Sequence, residues 1–387
     1  MEQQLFDWMD QIEQDLLDIR THLFNNPELG DREFIAQKAL VSYLNEHAFT
    51  VETGLVERPT SFRATYQGEK EGPTIGIMAE YDALPGVGHG CGHNLIATMG
   101  IGAGILLSKV IDETGGTVIV YGTPAEETNG AKVPMADAGL FDVCDVAMMV
   151  HPAGVSAKSG ESLAMDAIEF RYEGKTSHAA ASPEEGINAL DSVIQLYNGI
   201  NALRQHLKDD VRIHGVITEG GQAANVVPDL AISQFYIRAK ERFDVNEVVE
   251  KVKKIAEGAA LMTGATLSMR NYELSYDNMI TNQTLSNIYT EQLYKAGETE
   301  IDEARGGLGS MDIGNVSHRV PSIHPYIGMG KAGLVAHTTA FRDQTMTEAG
   351  ELALRRGALS MALTGLKCLT DPDLMSEIKR EFNERKK

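Results

Sequence analysis

The sequence has little cysteine, few basic residues for its many acidic ones, and no long apolar run, and each shortage excludes a class of protein. Its 387 residues include three cysteines, Cys91, Cys144 and Cys368, an odd and sparse set that does not make a disulfide framework. Lys and Arg total 34 against 55 Asp and Glu, for a formal net charge of −21. Because so acidic a surface repels phosphate backbones and anionic lipid, we expect neither nucleic acid nor a membrane as partner.

The sequence also predicts neither a membrane span nor an export signal. The longest apolar run, Leu95 to Leu107, covers 13 residues. That is short of the roughly 20 that cross a bilayer, and glycines interrupt the run. The first 19 residues carry acids and no basic stretch, so we expect no secretory signal there. Together with the sparse cysteines, these features predict a cytoplasmic protein.

The length predicts two domains, and the first part of the chain has an α/β pattern. Apolar residues recur at helical spacing in three segments: residues 4–25, 33–48 and 95–108. Apolar runs typical of buried strands occupy four others: residues 61–67, 74–80, 116–123 and 145–150. This alternation is typical of a sheet covered by helices on both faces.

The pattern changes near residue 166. From there four strands and two helices follow in the order β-α-β-β-α-β, which is the order of a ferredoxin-like α+β domain. After residue 281 the α/β pattern returns, with helices predicted over 281–296 and 345–368 and a strand near 323–329. We therefore predict a mixed-sheet α/β domain, residues 1–165 plus 281–387, interrupted by an inserted domain over 166–280.

The densest cluster of chemically active residues lies in MAEYDALPGVGHGCGHNL, residues 78–95. A buried strand ends at Glu80, and Cys91 and His93 follow two positions apart in a glycine-flanked turn. Functional groups of α/β sheets collect at the carboxyl ends of strands, and a thiolate beside an imidazole suits a divalent transition metal. On this segment alone, the alternative of a buried structural thiol and a helix-capping histidine stays open.

Two later strands also end in candidate ligands. Glu126 and Glu127 follow one strand and His151 follows the next. Adjacent carboxylates repel each other at a buried strand end unless a cation lies near, and one can bind metal while its neighbour holds a water. A solvated acidic loop and a structural histidine are the alternatives. Three strand ends of this kind favour a metal site, and the mixed ligands favour Zn, Mn, Co or Ni over Mg or Ca.

Six motifs, in this order, resemble the metal-dependent amidohydrolases of peptidase family M20. They are EYDALPGVGHGCGHN, PAEE, MVHP, GKTSHAAASPEEGINAL, GGQAANVVPD and GMGKAGLVAHT, spread over nearly the whole chain. The similarity is to the aminoacylase-like branch. Within it, the EYDALPG and CGHN forms resemble the β-alanyl-lysine dipeptidases and aminobenzoyl-glutamate hydrolases, whereas MDALP and CGHD are more frequent among auxin-conjugate and hippurate hydrolases.

The resemblance implies roles for individual residues of the α/β domain. The implied metal ligands are Cys91, His93, Glu127, His151 and His337. Glu126 matches the general base, and Cys91 is able to bridge two ions. Asp82 is implied to orient a ligand from beside the metal, with His89 also in the surrounding layer rather than on the metal. Asp312, in SMDIGN, is a further candidate for the same sheet edge.

The inserted domain is implied to act as a lid and dimerisation domain. His178, in KTSHAA, matches a histidine that reaches the partner subunit's active site and stabilises the oxyanion. Asn225, in ANVVPD, matches a substrate-binding amide, and Arg238 is a candidate for binding the substrate carboxylate. The resemblance thus implies a homodimer with one or two divalent ions per subunit, zinc or manganese first and nickel or cobalt as alternatives.

We accordingly predict hydrolysis of an amide bond in a small N-acyl amino acid or dipeptide by a metal-activated water. An aminoacylase or carboxypeptidase acting on N-acetyl or aryl-amide amino acids is the alternative within this class. A thiol hydrolase with Cys91 as nucleophile and a non-catalytic metal-binding protein are alternatives of other classes, although the intact Glu126–Glu127 pair disfavours the latter. The acidic net charge favours basic substrates such as lysyl or ornithyl dipeptides.

Overall fold

The computed structural model describes residues 1–304 and 309–385, which pack as two compact units. The larger unit consists of Met1–Glu161 with residues 279–304 and 312–385. The inserted unit consists of Ser162–Asn278 with residues 309–311. The predicted fold class, an α/β fold interrupted by an inserted α+β unit, is confirmed.

The first segment of the larger unit opens with amphipathic helices. In the first helix Leu5, Met9, Ile12 and Leu16 are buried at intervals of three or four residues, as one apolar face requires. The elements of this segment are α1 (Glu2–Asn25), α2 (Phe34–Glu46), β1 (Thr50–Thr53), β2 (Phe62–Gln67), β3 (Thr74–Ala79), α3 (His93–Thr114), β4 (Thr117–Gly122), α4 (Glu126–Asn129), α5 (Lys132–Asp137), β5 (Val146–Met148) and β6 (His151–Ala153).

The inserted unit has the predicted β-α-β-β-α-β order. Its elements are β7 (Ala164–Glu173), α6 (Ala189–Leu203), β8 (Arg212–Glu219), β9 (Leu230–Ala239), α7 (Arg242–Thr263) and β10 (Thr266–Asn271). The strands pair antiparallel in the sheet order β10-β7-β9-β8. Strand β9 alternates buried and half-buried residues along its length, because only one face of the sheet packs against the helices.

The last segment completes the larger unit and differs from the prediction in its strand and in three described helices beyond the two predicted. It contains α8 (Gln283–Lys295), α9 (Ile313–Ser317), β11 (Ser322–Ile323), β12 (Tyr326–Gly328), α10 (Thr339–Gln344), α11 (Glu348–Thr370) and α12 (Pro372–Arg385). The single strand predicted near 323–329 is two short strands. They join different sheets on either side of Pro325, which has no N–H for a continuous ladder.

The main sheet of the larger unit places the ends of its central strands at one edge. Its order is β1-β2-β4-β3-β5-β11. Strand β3 is parallel to both β4 and β5, and β5 is parallel to β11, whereas β2 is antiparallel to both of its neighbours, β1 and β4. The sheet is therefore mixed, as predicted, and the segments that follow β3, β4 and β5 leave it on the same side.

Helix α3 is the central helix of the larger unit. It packs so closely that a Cβ at Gly104 would lie 2.3 Å from Val120 Cγ2 and one at Gly100 3.1 Å from Ala79 Cβ. By length and composition alone α3 is apolar enough to cross a membrane, but 94% of its apolar window is buried inside the protein. The helix therefore serves as a core element.

Candidate metal centre

Cys91 and His93 are oriented by a tight turn at the start of α3. Gly92 between them has a φ of 82°, and a Cβ there would lie 2.5 Å from Pro152 Cγ, so the position requires glycine. The turn brings Cys91 Sγ to 3.4 Å from His151 Nε2. His151 is the first residue of β6, and its Nδ1 lies 2.7 Å from the Pro152 carbonyl. A hydrogen bond there leaves Nε2 as the ligand nitrogen.

One ring nitrogen of His93 contacts a carboxylate, whereas the other lacks a hydrogen-bond partner among the described residues. Its Nδ1 lies 2.9 Å from Asp82 Oδ1. Its Nε2 lies 3.4 Å from Glu80 Oε2 and 3.9 Å from Glu127 Oε1. Both His93 Nε2 and Glu127 Oε1 are buried, yet neither has a hydrogen-bond partner among the described residues. Such paired orphan atoms are rare in folded proteins and call for a missing partner.

Asp82 connects two of the candidate ligands. While Oδ1 faces His93, Oδ2 accepts a hydrogen bond from the Glu127 N–H at 2.9 Å. One buried carboxylate thus fixes the imidazole ring and the backbone of α4 together. This is the arrangement by which residues around a metal orient its ligands.

His337 belongs to the same cluster and has a strained backbone conformation. Its φ is 64°, in the left-handed region that few residues other than glycine adopt. Its N–H donates to the Gly90 carbonyl at 2.9 Å, which ties it to the loop that carries Cys91. His337 Nε2 lies 3.4 Å from Glu127 Oε2. Strain of this kind persists where the surrounding structure enforces it, commonly at functional sites.

The candidate ligands form overlapping groups whose donor atoms lie within 4.8 Å of one another. The groups are Cys91 with His93 and His151, Cys91 with Glu127 and His337, and His93 with Glu126 and Glu127. Cys91 and His93 each belong to two of these groups, so the groups share donor atoms. The soft and borderline donors, together with the two orphan atoms, fit a divalent transition metal.

The surroundings of the candidate ligands shift their pKa values in different directions. Burial lowers the pKa of His151 to about 4, so this imidazole is neutral, as a ligand must be. Burial opposes protonation of His93 too, but the Asp82 and Glu80 carboxylates outweigh it and raise the pKa of His93 well above its usual value. Burial raises the pKa of the Cys91 thiol to about 12. An activated cysteine nucleophile has a lowered pKa, so these surroundings disfavour the thiol-hydrolase alternative.

Lys132, which has no recognisable sequence signal, lies between two buried carboxylates beside Glu126. Its ammonium donates to Glu80 and, at 2.8 Å, to Asp312 Oδ1. Burial disfavours the charged forms, but mutual attraction lowers the pKa of Glu80 and raises that of Lys132. Carboxylate oxygens of Glu80, Asp312 and Glu126 lie within 4.8 Å of one another. Burial and these two acids raise the pKa of Glu126 well above its ordinary value.

Two buried histidines surround this cluster. The Nε2 of His89 lies 3.2 Å from the Leu23 carbonyl, and burial lowers the pKa of His89 to about 4. The buried ring of His324 is centred 5.6 Å from that of His151. Both are positioned to pack against the centre.

The remaining predicted site residues belong to the inserted unit. His178 and Asn225 are exposed and lie on adjoining segments, since His178 forms a β-bridge with Val226 and the Ala179 N–H donates to the Asn225 carbonyl at 3.0 Å. Arg238 lies on β9, where one of its nitrogens donates to Ser310 and its buried Nε has no partner among the described residues.

Comparison with known proteins gives consistent matches over the chain. Residues 165–262 match the peptidase dimerisation domain of family M20. The chain is 38% identical to the Xaa-Arg dipeptidase of Mus musculus, over 84% of this chain and 78% of the relative. It is 33% identical to the Xaa-Arg dipeptidase of Homo sapiens, over 93% and 87%. It is 29% identical to one of the polypeptides of the p-aminobenzoyl-glutamate hydrolase of Escherichia coli, over 95% and 92%.

The fold is also shared with solved structures. The Bacillus subtilis YXEP protein, a dinuclear metal-binding peptidase of the M20 family, superposes with a TM-score of 0.69 at 23% identity, covering 92% of this chain and 99% of that one. The fold and these relatives define a metal-dependent amidohydrolase. The chain belongs to peptidase family M20.

Replacing Lys132 tests the charge balance beside Glu126. Lys132→Met leaves Glu80 and Asp312 buried without their cation, and we expect the free energy of unfolding to fall by about 3–5 kcal/mol. The control is Lys295→Met, which removes an exposed ion pair with Glu2 and should change stability by less than about 1 kcal/mol. Urea unfolding of both variants measures the difference. Equal, small losses would contradict a structural role for Lys132.

Proposed function

We propose that this enzyme hydrolyses dipeptides with a basic C-terminal residue at a centre of one or two divalent ions, zinc or manganese. The proposed ligands are Cys91, His93, Glu127, His151 and His337. The observation that carries the proposal is the convergence of these ligands around two buried atoms, His93 Nε2 and Glu127 Oε1, to which no described residue offers a hydrogen bond. The substrate class is supported by the identity to Xaa-Arg dipeptidases and by the net charge of −21, which attracts cationic molecules.

Glu126 is the proposed general base. A divalent ion at this centre would lower the pKa of a water molecule and polarise the scissile carbonyl. Glu126 accepts the proton that the water loses and delivers it to the departing amine. Its pKa, raised by burial and by the neighbouring Glu80 and Asp312, suits it to hold the proton between the two transfers. Asp82 holds the His93 ring and the Glu127 backbone in a fixed position relative to each other.

The proposed oxyanion donor is His178, acting in a homodimer formed through the inserted unit. His178 Nδ1 accepts hydrogen bonds from the Ala180 and Ala181 N–H groups at 3.2 and 3.1 Å, so the ring proton resides on the outward Nε2. A fixed donor aimed at a developing negative charge is the usual form of oxyanion stabilisation. The match of residues 165–262 to a dimerisation domain supports a dimer in which His178 acts in the active site of the partner subunit.

Substrate binding is proposed to involve Asn225 and Arg238. The unpartnered Nε of Arg238 is a donor suited to the carboxylate at the end of a dipeptide. The exposed Asn225 amide supplies a donor and an acceptor for the backbone of the substrate. We also propose a cytoplasmic location, since Cys91, Cys144 and Cys368 are all free thiols.

A substrate panel tests the proposed function. Dipeptides ending in arginine, lysine or ornithine should be hydrolysed with a higher kcat/KM than aminobenzoyl-glutamate or N-acetyl amino acids, because the acidic protein favours cationic substrates. Treatment with EDTA should abolish turnover and added Mn²⁺ or Zn²⁺ should restore it. Preference for the anionic conjugates would refute the substrate class, and full activity in EDTA would refute metal dependence.

Heterodimers that combine two inactive variants test the roles of Glu126 and His178. Glu126→Gln and His178→Ala should each lower kcat, the former by about 10²–10⁴-fold. A heterodimer of the two single variants should recover activity, because one site then has both its own Glu126 and His178 of the partner subunit. The control heterodimer, which pairs a subunit carrying both substitutions with a wild-type subunit, should be inactive. The reverse pattern would show that His178 acts within its own subunit.

A further inference from the structure

The short helix that carries Glu126 and Glu127 begins from a strained residue. Ala125, immediately before α4, has φ 62° and ψ 31°, in the left-handed region. An L-residue with a Cβ disfavours this conformation, so contacts elsewhere must hold it. Ala125 is fully buried, and its carbonyl accepts the Asn129 N–H at 2.9 Å. A change in the backbone conformation of Ala125 would therefore redirect the whole turn, and with it both glutamates.

One hydrogen bond from outside the turn fixes the Ala125 backbone. The Ala125 N–H donates to Glu33 Oε1 at 2.9 Å. The other oxygen of Glu33 accepts the Thr60 hydroxyl at 2.7 Å, and the Thr60 carbonyl accepts the Tyr81 hydroxyl at 2.6 Å. Glu33 is 0% exposed, so water does not compete with the Ala125 N–H and the Thr60 hydroxyl for its carboxyl oxygens. The chain of contacts links Ala125 to Tyr81, which directly precedes Asp82.

Glu33 does not serve the helix that it precedes. It is the residue before α2, a position where an acidic side chain commonly caps the helix. That capping is done by Glu28 instead, whose Oε2 accepts the Ile35 and Ala36 N–H groups at 2.8 and 3.0 Å. The Glu33 side chain is thereby available to turn inward, toward Ala125.

We propose that Glu33 is a positioning residue of the enzyme, holding the left-handed Ala125 turn that aims Glu126 at the reacting water and Glu127 at the metal. The inference rests on the proposed roles of those two glutamates. Asp82 holds the same turn two residues further along the chain, by accepting a hydrogen bond from the Glu127 N–H. The turn is thus fixed at Ala125 by Glu33 and at Glu127 by Asp82.

The carboxyl group of Glu33 performs this role in either protonation state. Burial raises its pKa to about 7, so the neutral form is well populated near neutral pH. That form retains a carbonyl oxygen for the Ala125 N–H and a hydroxyl for Thr60 Oγ1. Glutamine has the same length and the same acceptor, so Glu33→Gln should retain the contact, whereas methionine fills the space without an acceptor.

The test compares Glu33→Met with Glu33→Gln, with the double variant Glu33→Met/Ala125→Gly and with Glu28→Ala. We expect Glu33→Met to weaken Mn²⁺ binding to the metal-free protein, measured by titration calorimetry, by about 10–100-fold, and to lower kcat by a similar factor. KM should change little. Glu33→Gln should behave like wild type. Ala125→Gly in the Met background should recover much of both losses, because glycine adopts the left-handed conformation without the Cβ penalty.

Glu28→Ala is the control for loss of stability in the same loop. It should lower the Tm but leave Mn²⁺ affinity and kcat unchanged. Wild-type Mn²⁺ affinity and kcat in Glu33→Met, or no recovery from Ala125→Gly, would overturn the positioning role. If Glu33→Met does not fold, Thr60→Val removes the donor that fixes Glu33 and should lower Mn²⁺ affinity and kcat; unchanged values would overturn the role equally. Failure of the wild-type protein to bind either Mn²⁺ or Zn²⁺ would instead refute the proposed function, and the positioning role with it.

Discussion

Concentrated negative charge at one edge of the sheet is the constraint on which the rest of the site depends. The carboxylates gathered there are Glu80, Asp82, Glu126, Glu127 and Asp312. Each loses solvation on burial unless a cation or hydrogen-bond donor compensates it. Lys132 compensates Glu80 and Asp312, and the Glu127 N–H together with the His93 ring compensates Asp82. Within residues 1–304 and 309–385, Glu127 Oε1 and His93 Nε2 are left without hydrogen-bond partners, and the divalent ion proposed for this centre would complete the balance.

Much of this site can be predicted from sequence because its residues follow strands that end together. Since β3, β4 and β5 are parallel neighbours, the short segments after them bring Cys91, Glu126 and His151 to one place. Lys132 and Glu33 cannot be predicted in this way. Lys132 pairs with an acid 180 residues away, and Glu33 accepts from a backbone 92 residues away. Neither separation follows a local period, so only the completed fold specifies these contacts.

The two units differ in how they hold their polar side chains. In the larger unit the candidate ligands other than the exposed His337 are buried or half-buried and are held by backbone or carboxylate partners, so their geometry is set before any substrate arrives, which favours catalysis. In the inserted unit His178 and Asn225 are exposed, although their backbones are joined. Exposed groups on a rigid turn suit a role completed by another molecule, which is the role proposed for them in a homodimer.

The most direct test of the account is to locate a bound ion. Crystals of the wild-type enzyme soaked in Mn²⁺ should show an anomalous scattering peak within bonding distance of both His93 Nε2 and Glu127 Oε1, with Lys132 still between Glu80 and Asp312. An ion bound only among Glu80, Glu126 and Asp312, or no ion near His93, would contradict the claim that the two unpartnered atoms define the metal centre.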